Sequence, residues 1–357
     1  VKQTPNDSPS ATRPRGRGAS WNPQNRFEKL EYVRDEEAPP LEDDELSPHT
    51  LYLRDPTRQL IATNDSPDIP FEASINPYRG CEHGCVYCYA RPTHEYLGFS
   101  AGLDFESKIL VKEDAPDLLR EELASPRWEP KTIAISGVTD PFQPIERKLE
   151  ITRRCLAVLA DFRNPVAIIT KNHLVTRDVD HLAELARFQA CAVMISVTTL
   201  DSKLQRIMEP RTSSPDMRLA AIETLAHAGI PVGVMTAPVI PAITDHELPN
   251  ILKAARDAGA STAGFVVLRL PWAVAPIFER WLDEHFPDRK EKVLNRIRDL
   301  RGGKLYDSRW GVRGRGEGVF ADQIRNIFDV TCRRLGLNER SMELSTASFR
   351  RQQATLF

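Results

Sequence analysis

Between residues 70 and 272 the chain alternates short runs of β-branched and apolar residues with longer stretches in which apolar positions recur every three or four residues. The runs at 72–76, 132–137, 166–170, 192–198, 232–237 and 262–270 have the length and composition of buried strands. The stretches at 115–124, 151–162, 176–188, 216–228 and 245–258 read as amphipathic helices. Gly229 and Gly259 stand just past the last two, where a left-handed residue closes a helix, each shortly before the next strand. Repeated β-then-α units predict parallel strands joined by right-handed crossovers. The expected fold is therefore α/β, a partial (β/α)6 barrel of the TIM type, with an open doubly wound sheet as the other arrangement. In both, chemistry collects at the carboxyl ends of the strands.

The flanks follow other patterns. After residue 272 helical periods run over 276–285, 288–300 and 321–335, with a glycine- and arginine-rich loop at 301–316. This predicts an α-helical C-terminal extension over 273–357 beside a barrel over 67–272. Residues 1–66 begin with a Pro/Ser/Arg-rich stretch that includes Arg13, Arg15 and Arg17. They continue into an acidic run, Asp35, Glu36, Glu37, Glu42, Asp43, Asp44 and Glu45. Such composition predicts an extended, largely disordered and solvated N-terminal segment.

Composition narrows the class. The 357 residues carry 48 Lys and Arg against 50 Asp and Glu, a net charge of −2, so no global basic field announces a polyanion. No apolar run reaches the roughly 18 residues of a membrane span. The first twenty residues lack the apolar centre of a secretory signal. Three of the six cysteines crowd together and three are scattered, which is not a disulfide framework. Cys155, Cys191 and Cys332 read as small buried hydrophobes, and the usage fits a reducing cytoplasm.

The crowded three carry the chemistry. The loop Asn76-Pro77-Tyr78-Arg79-Gly80-Cys81-Glu82-His83-Gly84-Cys85-Val86-Tyr87-Cys88 has the spacing C-x3-C-x2-C. Three thiolates hold three irons of a cubane and leave the fourth open, whereas a cluster used for electron transfer normally takes four cysteines. Gly80 and Gly84 let the backbone curl closely around a compact object. Two alternatives stay open. A zinc site would need His83 or His94 as its fourth ligand. A redox pair of Cys85 and Cys88 would leave Cys81 unexplained.

With Tyr87 immediately before the last cysteine, this motif resembles the signature of the radical S-adenosylmethionine (SAM) enzymes. The stretch Asn76 to Cys81 and the downstream Thr139-Asp140-Pro141 resemble, more narrowly, the spore photoproduct lyase-like branch. From about residue 15 to 337 the chain is similar to an uncharacterised bacterial group within it that carries a long N-terminal arm. The resemblance implies a [4Fe–4S] cluster on Cys81, Cys85 and Cys88, with SAM chelated to the open iron. It implies reductive cleavage of SAM to methionine and a 5′-deoxyadenosyl radical that abstracts hydrogen from a substrate, fed by an electron donor such as flavodoxin or ferredoxin.

It also implies roles for residues at the strand ends. Thr139 and Asp140 would shape the turn that meets the methionyl amine of SAM, Asp140 reading equally as a helix cap before Pro141. Lys171 and Ser196 would hold the SAM carboxylate, a cation and a hydroxyl being suitable partners; a solvated lysine and a strand-face serine are the alternatives. Glu209, Arg211 and Arg218 are candidates for contacts to SAM or substrate, although helix-start chemistry at Ser214 or Asp216 explains part of that segment. The stretch 235–241 would suit adenine or a plain buried strand. The lyase itself uses an extra cysteine as hydrogen donor, and Gly137 stands at that place here. No catalytic residue is assigned; a tyrosine such as Tyr78 or Tyr96 is the alternative hydrogen donor.

The expected substrate is a nucleic acid, DNA or RNA, through the lyase-like resemblance and the loop cations Lys304, Arg309, Arg313 and Arg315 with Tyr306 and Trp310 interleaved. A glycine-rich surface loop explains those residues equally. The other readings are radical modification of a protein or small metabolite, and a zinc or iron–sulfur binding module without SAM chemistry.

Overall fold

The computed structural model describes residues 14–28 and 49–351. Among the described residues ten strands are formed: β1 (Leu51–Arg54), β2 (Ala62–Thr63), β3 (Ala73–Ile75), β4 (Tyr78–Arg79), β5 (Lys108–Val111), β6 (Ile133–Ile135), β7 (Val166–Thr170), β8 (Cys191–Ser196), β9 (Val232–Val239) and β10 (Thr262–Val267). Seven of them build one sheet in the order β10-β9-β8-β7-β6-β3-β2. From β3 to β10 every neighbouring pair is parallel, and β2 closes the edge antiparallel to β3. The fold is thus mixed α/β around a parallel sheet.

The central strands are largely apolar, as strands covered on both faces are. The helices Ala115–Ala124, Ile151–Phe162 and Leu248–Asp257 occupy the predicted stretches and bury residues such as Leu119, Leu156, Leu159 and Leu252 in one core with β6 to β9. The stretch expected as one helix over 176–188 is a 3-10 turn, His173–Asp178, followed by the helix Val179–Ala186. Gly229 and Gly259 hold φ of +73° and +104°, the helix-closing conformation their positions predicted. Cys155, Cys191 and Cys332 lie in the core, and the six cysteines are free thiols.

Two features differ from expectation. A second, three-stranded sheet pairs β5 with β1 in parallel and with β4 antiparallel. Its strands are two to four residues long, too short to show an alternation. It matters because β4 leads straight into Cys81, so the cysteine loop is anchored by β3 in one sheet and β4 in the other.

The second difference is in the arm. Residues 14–28, expected to be extended and solvated, are packed: Arg17 is 2% and Ala19 1% exposed. The composition looks like solvated chain, but its backbone N–H groups find buried acceptors, as described below. The acidic run from Asp35 to Glu45 falls outside the described residues, as does Arg13.

Helices Val274–His285, Lys290–Asp299 and Val319–Leu335 follow β10. The first buries Phe278 and Trp281 against Val86, Tyr87 and Met208, and the Trp281 indole donates to the Ile207 carbonyl at 2.9 Å. The back of the cysteine loop therefore rests on a helix from the far end of the chain. Among the described residues no helix is long and apolar enough to cross a membrane.

Candidate active site

The carboxyl ends of the parallel strands lie along one edge of the sheet, and the loops that leave them carry the polar residues singled out above. The loop after β3 holds Cys81, Cys85 and Cys88. Its backbone is pinned throughout: Cys81 N–H donates to the Phe105 carbonyl at 2.9 Å, Val86 N–H to Met208 at 3.0 Å, and Cys88 N–H to Cys85 at 3.2 Å. Arg91, fully buried, donates to the Cys85 carbonyl through Nε (3.0 Å) and Nη2 (2.9 Å) and to the Ala101 and Gly102 carbonyls through Nη1. Its charge is met by Glu106 at 2.5 Å.

Cys85 and Cys88 share one electrostatic environment. Burial pushes the Cys85 and Cys88 thiols up, neighbouring thiols add to the rise, and the Lys171 ammonium opposes it at both; Arg91 also opposes it at Cys88. A ligand that takes up thiolates relieves the burial penalty by supplying positive charge at the sulfurs. A cubane is wider than an ion and takes its thiolates at separate corners. Among the described residues no three His, Cys, Asp or Glu side chains converge on a single metal ion.

Both histidines named as zinc partners have protein contacts of their own. His83 faces Asp140 through Nδ1 at 3.4 Å, lies 3.1 Å from the Asn172 side-chain amide through Nε2, and also interacts with Cys81. His94 donates through Nε2 to the Lys108 carbonyl at 2.9 Å and packs between the rings of Phe99 and Phe105. Its Nδ1 is buried without a partner among the described residues.

Thr139 and Asp140 build the turn after β6. The Thr139 hydroxyl donates to the Gly80 carbonyl at 2.6 Å, tying this turn to the cysteine loop. Asp140 accepts from Phe142 N–H at 2.9 Å, from the Thr170 hydroxyl at 2.7 Å and from Lys171 N–H at 2.8 Å. Burial pushes its carboxyl up, but His83 and these hydrogen bonds outweigh burial and hold it at about 2. Asp140 thus ties the ends of β6 and β7 to each other and, through His83, to the cysteine loop.

Lys171 leaves β7 with its backbone fixed on Asp140 and its ammonium 5.9 Å from the centre of the Tyr87 ring. It forms no ion pair among the described residues. Ser196 ends β8, buried, and its carbonyl accepts from Arg218 Nη1 at 3.0 Å.

Glu209 and Arg218 pair with each other, 0% and 1% exposed. Glu209 also accepts from the Tyr87 hydroxyl and from Thr198 at 2.6 Å. Expected as contacts to SAM or substrate, these residues form a clamp beneath Tyr87 that fixes the loop one residue before Cys88. Arg211 reaches Glu82 at 3.4 Å and the Gly16 carbonyl at 3.1 Å.

Neither tyrosine named from the sequence sits at the Gly137 position. Tyr78 is buried with its hydroxyl on Glu146 at 2.5 Å, and Tyr96 lies on the surface. Tyr89, which sequence reasoning passed over, donates to the Gly137 carbonyl at 2.8 Å and carries the Arg269 guanidinium 4.2 Å over its ring. Gly137 has φ of +126°, so a side chain there would be strained although the space is open.

The basic loop is partly neutralised. Arg313 pairs with Asp68 at 2.5 Å, and Arg309 pairs with Asp307 and Glu317, each at 2.7 Å. Arg301, buried, supports the loop by donating to the Val312 and Leu268 carbonyls at 2.5 and 2.9 Å. Lys304 and Arg315 form no ion pairs among the described residues.

A model of the Radical SAM superfamily matches residues 75–255 of this chain. An uncharacterized protein of Mycobacterium tuberculosis is 37% identical over 234 residues, which cover 65% of this chain and 68% of that protein. An uncharacterized protein of Methanocaldococcus jannaschii is 28% identical over 222 residues, covering 62% and 79%. Among solved structures, spore photoproduct lyase complexed with dinucleoside spore photoproduct is similar with a TM-score of 0.59 at 18% identity, over 80% of each chain. A doubly substituted form of that lyase, with bound AdoMet and the same dinucleoside, gives 0.60 at 18% identity over 86% of each chain. At that identity the likeness is one of fold.

Proposed function

Because the chain belongs to the radical SAM superfamily, an enzyme family that uses a [4Fe–4S] cluster and SAM, we propose that Cys81, Cys85 and Cys88 hold the cluster and that the substrate is a nucleic acid base. The observation that carries the first half is the loop itself: three free thiols on a backbone held by hydrogen bonds at Cys81, Val86 and Cys88, two of the thiols facing the Lys171 ammonium. When bound, the cofactor pair supplies one-electron cleavage of the sulfonium to methionine and a 5′-deoxyadenosyl radical. The chain's own part is positioning and exclusion. Lys171 and the Ser196 hydroxyl offer a cation and a donor to the SAM carboxylate. Thr139 and Asp140 hold the turn that fixes the distance between β6, β7 and the cysteine loop. Glu209 and Arg218 keep Tyr87 from moving.

The nucleic acid half rests on aromatic surface beside the strand ends. Tyr89 and Trp272 are about half exposed, and guanidinium groups already stack on both, Arg269 on Tyr89 and Arg26 on Trp272 at 4.1 Å. Rings backed by cations offer stacking faces to unpaired bases. The lyase whose fold this chain shares is described with a bound dinucleoside, which makes DNA or RNA the first substrate to try.

Within this reading, residues 67–272 form the partial (β/α)6 barrel, 273–357 a helical extension, and 1–66 an N-terminal segment. A cytoplasmic setting would supply a flavodoxin- or ferredoxin-type electron donor. Anaerobic reconstitution tests the enzyme: four irons bound per chain, and SAM converted to methionine and 5′-deoxyadenosine on reduction. Retained zinc without SAM cleavage refutes it. Salt-dependent binding of single-stranded oligonucleotides, weakened by Arg315→Ala, tests the substrate class; salt-independent or absent binding turns the search to proteins and small metabolites.

A further inference from the structure

The segment 16–19 lies directly against the cysteine loop. A Cβ built on Gly18 would stand 1.6 Å from the Gly84 carbonyl oxygen, so the two backbones touch at a distance that admits glycine alone. Gly84 in turn faces the Glu106 carboxylate, which a Cβ there would meet at 2.6 Å.

Glu106 is where three segments join. Its carboxylate accepts from the backbone N–H of Gly18 at 2.9 Å and of Ala19 at 2.8 Å, and it pairs with Arg91 at 2.5 Å. Arg91 holds the Cys85 carbonyl through two bonds. Arg17 donates to the Glu106 carbonyl at 2.7 Å, and the Gly16 carbonyl accepts from Arg211 Nε at 3.1 Å, while Arg211 N–H reaches the His83 carbonyl at 3.3 Å. The arm is thus bonded to the cysteine loop by two routes, through Glu106 and Arg91 to Cys85 and through Arg211 to His83. Glu106 and Arg91 are fully buried, so a carboxylate stripped of its arm donors would be left with unmet acceptor capacity away from water.

We infer that residues 16–19 are a strap that positions the cluster-binding loop, with Gly18 and Glu106 as positioning residues and Arg91 the link to Cys85. This rests on the reading that Cys81, Cys85 and Cys88 hold the cluster. The strap keeps the Cys85 side of the loop from opening, so the cluster leaves slowly and oxidants reach it slowly. A polar, glycine-bearing segment serves here because its contacts are made by backbone N–H groups and a bare Cα.

The test compares the full chain with Gly18→Val, both reconstituted anaerobically. Wild-type iron content decides the underlying reading: no cluster in the wild type refutes that reading and leaves nothing for the strap to hold. Given a four-iron wild type, Gly18→Val is expected to lose bound iron to a chelator about tenfold faster or more and to change the electron paramagnetic resonance signal of the reduced cluster. Release and spectrum unchanged from wild type overturn the strap. A variant that fails to fold is covered by a measurement on the unaltered protein, hydrogen exchange at the Gly18 and Ala19 amides. Strong protection that increases on cluster loading supports the strap. Exchange at the rate of an open chain in the loaded protein overturns it.

Discussion

Lys171 offers the sharpest separation of binding from folding. Its backbone is fixed by Asp140, its ammonium points toward the Cys85 and Cys88 side of the loop, and no carboxylate among the described residues pairs with it. Replacing it with Met keeps the length of the side chain and removes the charge, leaving no buried carboxylate behind. Stability should therefore change by less than about 0.5 kcal/mol, as for a substitution that breaks no partnered group. A hydrogen bond to a charged group contributes about 1.5–3 kcal/mol, so losing one to the SAM carboxylate should raise the Kd for SAM about 10- to 150-fold. The assay is equilibrium binding of SAM to reconstituted protein, with iron content measured on the same samples. Full iron with a Kd within about twofold of wild type would refute the assignment of Lys171 to SAM. Loss of iron would instead mean that the ammonium is needed to keep the thiolates together, a different role.

Three further outcomes follow from the geometry. Cys85→Ala should abolish both cluster assembly and SAM cleavage, since two thiolates remain; a variant that still cleaves SAM on reduction refutes the ligand set. Arg218→Met leaves the Glu209 carboxylate buried and unpaired under Tyr87, which should lower stability by about 3–5 kcal/mol in denaturant titration of the apoprotein; a loss under about 1 kcal/mol would show that Glu209 finds another partner. Burial holds the His94 imidazole at about 4, against its ordinary 6.5. As pH falls through 6.5 the unfolded chain takes up a proton that the folded chain refuses. Apoprotein stability should therefore drop between pH 6.5 and 4, by about 3 kcal/mol at full effect. His94→Gln should flatten that limb, and an unchanged pH profile in this variant would assign the loss to other groups.

The parts of this molecule that were legible in its sequence are those whose signal is local. The parallel strands of the larger sheet and the helices Ala115–Ala124, Ile151–Phe162 and Leu248–Asp257 followed from periodicity, because each buries one continuous apolar face or run, whereas the short β4 and β5 did not. The cysteine spacing was visible for the same reason, since the three residues proposed to hold the cluster stand in one loop. What stayed hidden is the polar machinery that holds the loop. Arg91 and Glu106 look like ordinary surface charges in sequence, yet both are fully buried and meet each other, the arm and Cys85. Glu209 and Arg218 read as ligand contacts because charged residues near a strand end have few other signatures, and the ion pair between them had no signature at all. The arm misled most, since its Arg, Gly, Ser and Pro composition is that of solvated chain. Burial there is achieved by peptide N–H groups on a carboxylate, which hydrophobic patterning does not register. A site that must exclude water while holding charge needs buried charges with fixed partners. Those partners come from segments nearly ninety residues apart, such as Gly18 and Glu106. The least hydrophobic stretches of such a chain are therefore where its active-site framework is best sought.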